Sequence, residues 1–204
     1  METALFAHAG YLAGSLPFGY WLVWLFKGAD IRTVGSGNIG ASNVWRTYGR
    51  GLGLTVVVLD VLKGFVPALL ATIYAGKLAG VLAGVAAMAG HWRPLFLGFR
   101  RGGKMVATFG GSLLGVAPVV GAIGAGVWIG LFLAFRYASL ASILAALALP
   151  LVAVALGESW PVIAYTAGAG VGIIFVHRAN IVRLRAGTEN RFSFRRRRSQ
   201  PAGA

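Results

Sequence analysis

From Met105 to Phe135 the chain runs 31 residues without a charged side chain. One membrane-spanning helix takes about 17–25 residues, so this run is long for a single span and suited to two short ones. The rest of the chain is of the same kind. Hydrophobic residues make up 57% of its 204 residues and charged residues only 12%, against roughly 45–50% and about 25% in soluble domains. A chain of this size has too little interior to hide so much apolar surface from water. Disorder requires the opposite composition. The sequence therefore predicts an all-α integral membrane protein. Cysteine is absent, which removes disulfides, thiol nucleophiles and cysteine metal sites.

The charged residues mark out the spans. Met1 to Phe26 is apolar apart from Glu2 and reads as the first span; a cleavable signal would begin basic. A polar stretch follows from Lys27 to Gly51. Leu52 to Ala75 is the second span, carrying Asp60 and Lys63, and Leu78 to about Leu97 is the third, with His91 and Arg93 near its end. Lys104 and Arg136 flank the uncharged run, which Pro118 is expected to divide into spans four and five. Tyr137 to Leu156 and Trp160 to Val176 bring the count to about seven, and an odd number puts the termini on opposite sides.

Of the 19 Lys and Arg residues, 17 then fall on one side, in the 27–51 loop, the 93–104 turn, Arg136 and the chain beyond Val176. Only Lys77 falls on the other side. The positive-inside rule places the N-terminus outside and the C-terminus in the cytoplasm. This accounts for the net charge of +14 without a nucleic-acid partner. Residues 1–190 read as one multi-span domain. Residues 191–204, with four consecutive arginines from Arg195 to Arg198, read as a basic disordered tail near anionic headgroups. The pairs Gly80 and Gly84, Gly126 and Gly130, and Gly168 and Gly172 are expected to let helices pack closely.

Four polar segments share the basic side. The first is Gly35-Ser36-Gly37-Asn38-Ile39-Gly40-Ala41-Ser42-Asn43-Val44-Trp45-Arg46. It matches the dinucleotide fingerprint, and Asp60 even stands about 20 residues on, where a ribose-binding acid would be. That fingerprint needs a strand–turn–helix within a parallel sheet, and Asp60 lies inside an apolar span. What remains is a loop whose N–H groups, serines and asparagines suit a phosphate. The second, Gly98-Phe99-Arg100-Arg101-Gly102-Gly103-Lys104-Met105, approaches a P-loop but has Met105 in place of the magnesium-binding hydroxyl. An ammonium and free N–H groups at a helix start still make an anion site. The third, Tyr137 to Ser142, carries Ser139 and Ser142, which either contact a ligand or cap the helix. The fourth begins at His177, which shares a helix face with Asn180, and runs to Gly187-Thr188-Glu189.

These motifs, with Gly14-Ser15-Leu16-Pro17, Asp30-Ile31-Arg32 and Val106-Ala107-Thr108, resemble in order the PlsY family over about residues 10–190. The family comprises bacterial membrane acyltransferases that use acyl-phosphate to acylate glycerol-3-phosphate. The resemblance implies transfer to the sn-1 hydroxyl to give lysophosphatidic acid, at the cytoplasmic side of the inner membrane, with no cofactor. Ser36, Asn38, Ser42, Asn43 and Arg46 would hold one phosphate, with Gly37 and Gly40 binding the same substrate through their backbone. Lys104, His177 and Asn180 would complete the pocket beside Gly102 and Gly103, and Ser139 or Ser142 would contact the donor phosphate. Arg46 and Lys104 are expected to supply charge, and Ser36 and His177 hydrogen bonds. The hydroxyl proton goes either to His177 or to a donor phosphate oxygen.

Glu189 and the Asp60–Lys63 pair read as structural. The His-x4-Asp pair of the other large glycerolipid acyltransferase group is missing: Ala13, Phe96 and Val182 stand five residues after the three histidines. No ligand cluster suggests a metal. The sequence departs from the family in the second arginine after Phe99, in Met105 where glycine is usual, and in Ser42 for a threonine. A small anion transporter or channel and a catalytically impaired family member are the alternatives. The first is disfavoured because the motifs share one face and no internal repeat is visible.

Overall fold

The structure is a computed structural model that describes residues 1–193. Every regular element in that range is helical: α1 (Glu2–Gly14), α2 (Phe18–Lys27), a 3-10 turn (Ile31–Thr33), α3 (Ala41–Tyr48), α4 (Arg50–Trp92), a 3-10 turn (Leu95–Leu97), α5 (Val106–Val116), α6 (Pro118–Phe135), α7 (Ala138–Ala155), α8 (Trp160–Val176) and α9 (Arg178–Arg185). Three stretches are long and apolar enough to cross a membrane: Arg50–Leu97, Pro118–Phe135 and Ala138–Ala155. The pair α8–α9, bent by 61°, reaches the same length and hydropathy only when its two helices are taken together. The basic tail expected over 191–204 lies outside the described residues from 194 onward.

The first apolar stretch is two helices and not one. Pro17 has no N–H to continue α1 and disfavours helical geometry at Leu16, so the chain breaks there. At the break the Leu16 carbonyl leaves the helical ladder: it accepts from the Phe18 N–H at 3.1 Å and from Lys63 Nζ at 2.9 Å, and Lys63 also pairs with Asp60 at 2.8 Å. The buried Asp60–Lys63 pair thus does the structural work expected of it. Gly76, at φ 83° and ψ 171°, breaks α4. Gly80 then lies against Ala68 and Thr72, so residues 77–92 return alongside residues 50–75. The uncharged run divides at Pro118, which begins α6 where its missing N–H costs nothing. The 11 residues of α5 extend about 16 Å, half of a roughly 30 Å hydrocarbon core.

Small residues set the helix contacts. A Cβ on Gly10 or Gly14 would run into the Ala83 or Ala87 carbonyl, and one on Gly64 or Gly111 into the Thr108 or Val61 carbonyl. These four seat α1 and α5 on α4. Of the three pairs singled out by spacing, Gly80 and Gly84 are in such contacts. Gly126, Gly130 and Gly168 have nothing within 4 Å of a modest side chain, and Gly172 meets only Met105. The main core joins residues 77–92 to α5, α6, α7 and α8 through Phe109, Leu113, Leu149, Tyr165 and Ile173. A second cluster, Val23, Ile31, Ile39, Val44 and Val56, ties the 27–51 loop to α2 and α4. That cluster holds the first glycine-rich motif in place.

Candidate active site

The first motif is held by its own asparagine. Gly35 and Gly37 take positive φ, 61° and 67°, and the loop folds around the Asn43 side chain, which is 2% exposed. Asn43 Oδ1 accepts from the Ser36 N–H at 3.0 Å. Its Nδ2 donates to the Val34 and Asn38 carbonyls at 2.9 and 3.0 Å. Asn38 Oδ1 in turn accepts from the Gly40 N–H at 2.8 Å. Upstream, Asp30 accepts from the Arg32 backbone and guanidinium, holding its carboxyl below the usual range. Arg46, on α3, makes no ion pair among the described residues; its guanidinium lies over the Phe192 ring at 5.1 Å.

The second motif docks on the end of α4. The Gly102 and Gly103 N–H groups donate to the Trp92 and His91 carbonyls, both at 2.9 Å, so they are not free for an anion. A Cβ on Gly103 would collide with the His91 ring; this close approach requires glycine. It delivers Lys104 to α9, where its Nζ donates to Asn180 Oδ1 at 2.5 Å. Burial pulls the Lys104 pKa from 10.5 down to about 8, the Glu189 carboxylate opposing this and Arg183, Arg101 and Arg46 adding to it.

Glu189 organises the far wall. Its Oε1 accepts from Asn180 Nδ2 at 2.6 Å and Ser139 Oγ at 2.9 Å, and its Oε2 from Arg183 Nε at 2.7 Å. Burial pushes its carboxyl up, and these bonds outweigh it to hold the pKa below the usual value. His177 sits at the bend between α8 and α9 with Nδ1 2.8 Å from the Ile173 carbonyl. That contact makes Nδ1 the protonated nitrogen and leaves Nε2 as the acceptor. Burial, then the Lys104 charge, lowers its pKa from 6.5 to about 4, against the Ile173 bond and Glu189, so the ring is neutral near pH 7.

A cavity of about 440 Å³ connects these groups. Ser36, Asn38, Gly40, Ser42, Asn43, Arg46, Lys104, Ser139, Ser142, His177 and Asn180 all border it, whereas Gly37, Gly102 and Gly103 do not. The other side of the cavity is hydrocarbon, with Leu113, Leu114, Ile129 and Leu149 between α5, α6 and α7. Two carboxylates border it, and both are neutralised, Glu189 by Arg183 and Asp60 by Lys63. Arg46 and Lys104 have no carboxylate partner among the described residues, so the polar end carries net positive charge. Lys104 is half-buried and Arg46 exposed, and two such cations beside a largely apolar cavity attract a phosphate.

Several residues play parts the sequence did not indicate. Asn43, expected as a ligand, has its amide engaged by the loop backbone. Ser142 Oγ donates to the Ala138 carbonyl at 2.7 Å and accepts from Trp128 Nε1 at 3.0 Å, and Ser139 Oγ donates to Glu189, so both hydroxyl protons are engaged within the protein. Phe192 is buried between Trp45 and Phe132, and its N–H donates to the Arg136 carbonyl at 2.8 Å. Its only signal in the sequence was an aromatic residue inside a basic tail. Met105 occupies the left-handed region at φ 67°, the conformation in which glycine is unstrained.

Comparison with known proteins agrees with this geometry. The family described as glycerol-3-phosphate acyltransferase matches residues 4–187. A protein of that name from Desulforudis audaxviator is 46% identical over 191 residues, covering 91% of this chain and 93% of its own. One from Hyphomonas neptunium is 45% identical, covering 95% and 94%. The crystal structure of PlsY (YgiH), an integral membrane glycerol 3-phosphate acyltransferase, in its glycerol 3-phosphate form, superposes with a TM-score of 0.90 at 42% identity, covering 95% of this chain and 96% of that one. Its lysophosphatidic acid form gives 0.87 at 41% identity, with the same coverage. With a matching family over nearly its whole length, the same helical architecture and a cationic cavity that opens into hydrocarbon, this chain belongs to the glycerol-3-phosphate acyltransferase family.

Proposed function

We propose that this membrane enzyme transfers an acyl group from an acyl-phosphate to the sn-1 hydroxyl of glycerol-3-phosphate, giving lysophosphatidic acid and inorganic phosphate. The observation that carries this reading is the pair of cations without a carboxylate partner among the described residues, Arg46 and Lys104, at the polar end of a cavity otherwise lined largely by hydrocarbon. Such a site fits phosphate and an acyl chain together. The relatives in glycerol 3-phosphate and lysophosphatidic acid forms support it.

In the reaction the sn-1 oxygen bonds to the acyl carbon and the carbon–oxygen bond to the donor phosphate breaks. The donor is a mixed anhydride with a good leaving group, so catalysis rests on position and charge. Arg46 and Lys104 stabilise the phosphates and the negative charge that grows on the leaving group. Ser36 holds a phosphate oxygen by its hydroxyl, while the Ser139 hydroxyl, donated to Glu189 at 2.9 Å, helps to fix that carboxylate in the far wall. His177 Nε2, neutral and lone-paired, accepts from the sn-1 hydroxyl and aims it. Burial and the Lys104 charge hold the His177 ring below its usual pKa, which makes it a poor acceptor for that proton. The proton therefore passes to the donor phosphate, which leaves carrying it.

The site faces the cytoplasm of a bacterial inner membrane, the chain crosses about seven times and the N-terminus is outside. The 17-to-1 division of basic residues supports this orientation. A cysteine at Ser159 should react with impermeant thiol reagents on intact cells and one at Gly203 should not; the opposite pattern refutes the orientation. Purified protein offered acyl-phosphate and acyl-CoA separately should turn over only the first. Efficient turnover of acyl-CoA, or phosphate transport without acyl transfer, refutes the functional reading.

A further inference from the structure

Met105 lies where the second motif turns into α5, with φ 67° and ψ −10°. A residue with a side chain is disfavoured in that region and persists there only when its surroundings hold it. Met105 is held by packing. It is 6% exposed and belongs to the core cluster that contains Phe109, Tyr165 and Ile173.

Its side chain stands between two cavities. One is the substrate cavity. The other, of about 400 Å³, lies between residues 77–92 and α8, bordered by Met88, Trp92, Tyr165, Gly168, Gly172 and Phe175 among others. Met105 is the one residue among those described that borders both. Across the second cavity Gly172 offers no side chain, and the atom nearest to where its Cβ would stand is Met105 Cε, at 3.7 Å. The Met105 side chain therefore forms part of the wall between them, beside the Phe109–Tyr165 ring pair.

We infer that Met105 is a specificity-determining residue: its side chain confines the acyl chain to the branch between α5, α6 and α7 and rejects donors branched near the carbonyl. This rests on the reading of the cavity as the acyl-phosphate site. The position of the wall determines which part of the chain it senses. Met105 directly follows Lys104, and Phe109 lies one turn deeper, so the wall stands beside the cationic end where the acyl carbonyl meets the phosphates. Leu113 and Leu149 border the cavity farther from Lys104. Shortening Met105 opens room beside the first carbons of the chain and leaves the far end unchanged.

The test uses purified full-length enzyme with a straight-chain acyl-phosphate and its 3-methyl-branched counterpart. A methyl group gained or lost in an apolar pocket changes discrimination by about 10–200-fold. Met105→Ala and Met105→Gly should raise the branched-to-straight ratio of kcat/KM by about tenfold or more, and Met105→Leu should keep the parent's ratio. Adding Gly172→Leu to Met105→Ala refills the gap from the other side and should return the ratio toward the parent's. If a variant loses turnover, the same ratio is read from the Kd values of straight and branched alkyl phosphonates. A ratio within about twofold of the parent's in both small variants, far below the methyl effect, overturns the assignment. Failure of the parent to use the straight-chain donor at all refutes the reading of the site, and this assignment with it. Parental turnover with an unchanged ratio refutes the partition alone.

Discussion

Replacing Lys104 by methionine removes one positive charge and keeps the volume of the side chain. In the structure that charge has a single partner, Asn180 Oδ1, and no carboxylate within salt-bridge distance. Arg183 is engaged by Glu189, and Arg100 and Arg101 are exposed and do not border the cavity. Arg46 alone remains to face phosphate. An ammonium about 4 Å from a unit of phosphate charge contributes about 4 kcal/mol at an effective dielectric constant near 20. That agrees with the roughly 2.7–4 kcal/mol, or about 10²–10³ in rate, lost when one stabilising donor is removed from a reacting site.

Stability should hold while activity falls. The bond to Asn180 contributes about 1.5–3 kcal/mol as a charge-assisted hydrogen bond. Against it, the fold keeps an ammonium charged at pH 7 although burial has lowered its pKa from 10.5 to about 8, a cost of about 1–2 kcal/mol after solvent screening at this half-buried position. The two offset to within about 1 kcal/mol. Lys104→Met should therefore lower kcat/KM by about 10²–10³ with an apparent Tm within a few degrees of the parent's. The assay is acyl-phosphate-dependent release of phosphate beside thermal unfolding in the same detergent. A kcat/KM within about threefold of the parent, well short of the loss of a stabilising donor, would show that Arg46 with Arg100 and Arg101 holds the phosphate instead.

Because the Lys104 pKa is lowered to about 8, its charge is complete well below that pH and lost above it. The kcat/KM profile should fall above about pH 8, and Lys104→Arg should remove that alkaline limb. His177, with a pKa near 4, adds no acid limb above pH 5. Glu189→Gln keeps acceptors for Asn180 and Ser139 but unpairs Arg183; thermal unfolding should show a loss of about 1.5–3 kcal/mol, with kcat/KM reduced at least tenfold. Asn43→Ala frees the first motif from its central side chain; stability should fall by about 1–3 kcal/mol, and the KM for glycerol-3-phosphate should rise more than kcat falls.

Much of the architecture could be read from local features, because each depends on a single residue or a short run. Pro118 ends one helix and begins the next by its missing N–H, and the interruption after Ala75 is marked by Gly76. Pro17 carried the same kind of signal, yet an apolar run of membrane length read through it. The break appears only where a buried cation, Lys63, uses the carbonyl that leaves the helical ladder. The glycine pairs show the limit of spacing as a guide. Gly80 and Gly126 sit in like patterns, but only Gly80 meets a neighbour, since spacing describes one helix and contact needs two.

The candidate site divides in the same way. Residue types in order along the sequence identified an anion-binding, lipid-facing chemistry and brought forward Ser36, Arg46, Lys104, His177 and Asn180, all of which border one cavity. Their roles could not be read there. An asparagine amide binds a phosphate or a backbone carbonyl with the same groups, and only the proximity of the Val34 and Asn38 carbonyls makes Asn43 a support for its loop. Glu189 reads as an isolated acid until Ser139, fifty positions away, and Asn180 converge on it. The sequence alone determined the solvent of the chain, the turns that proline and glycine impose and the sign of charge on one face, because composition and local backbone geometry decide these. Which cations lack a carboxylate, which hydroxyls are already engaged and which residue borders two cavities depend on distances across helices. The tertiary structure decided them, because electrostatic energy and packing follow separation in space and not position along the chain.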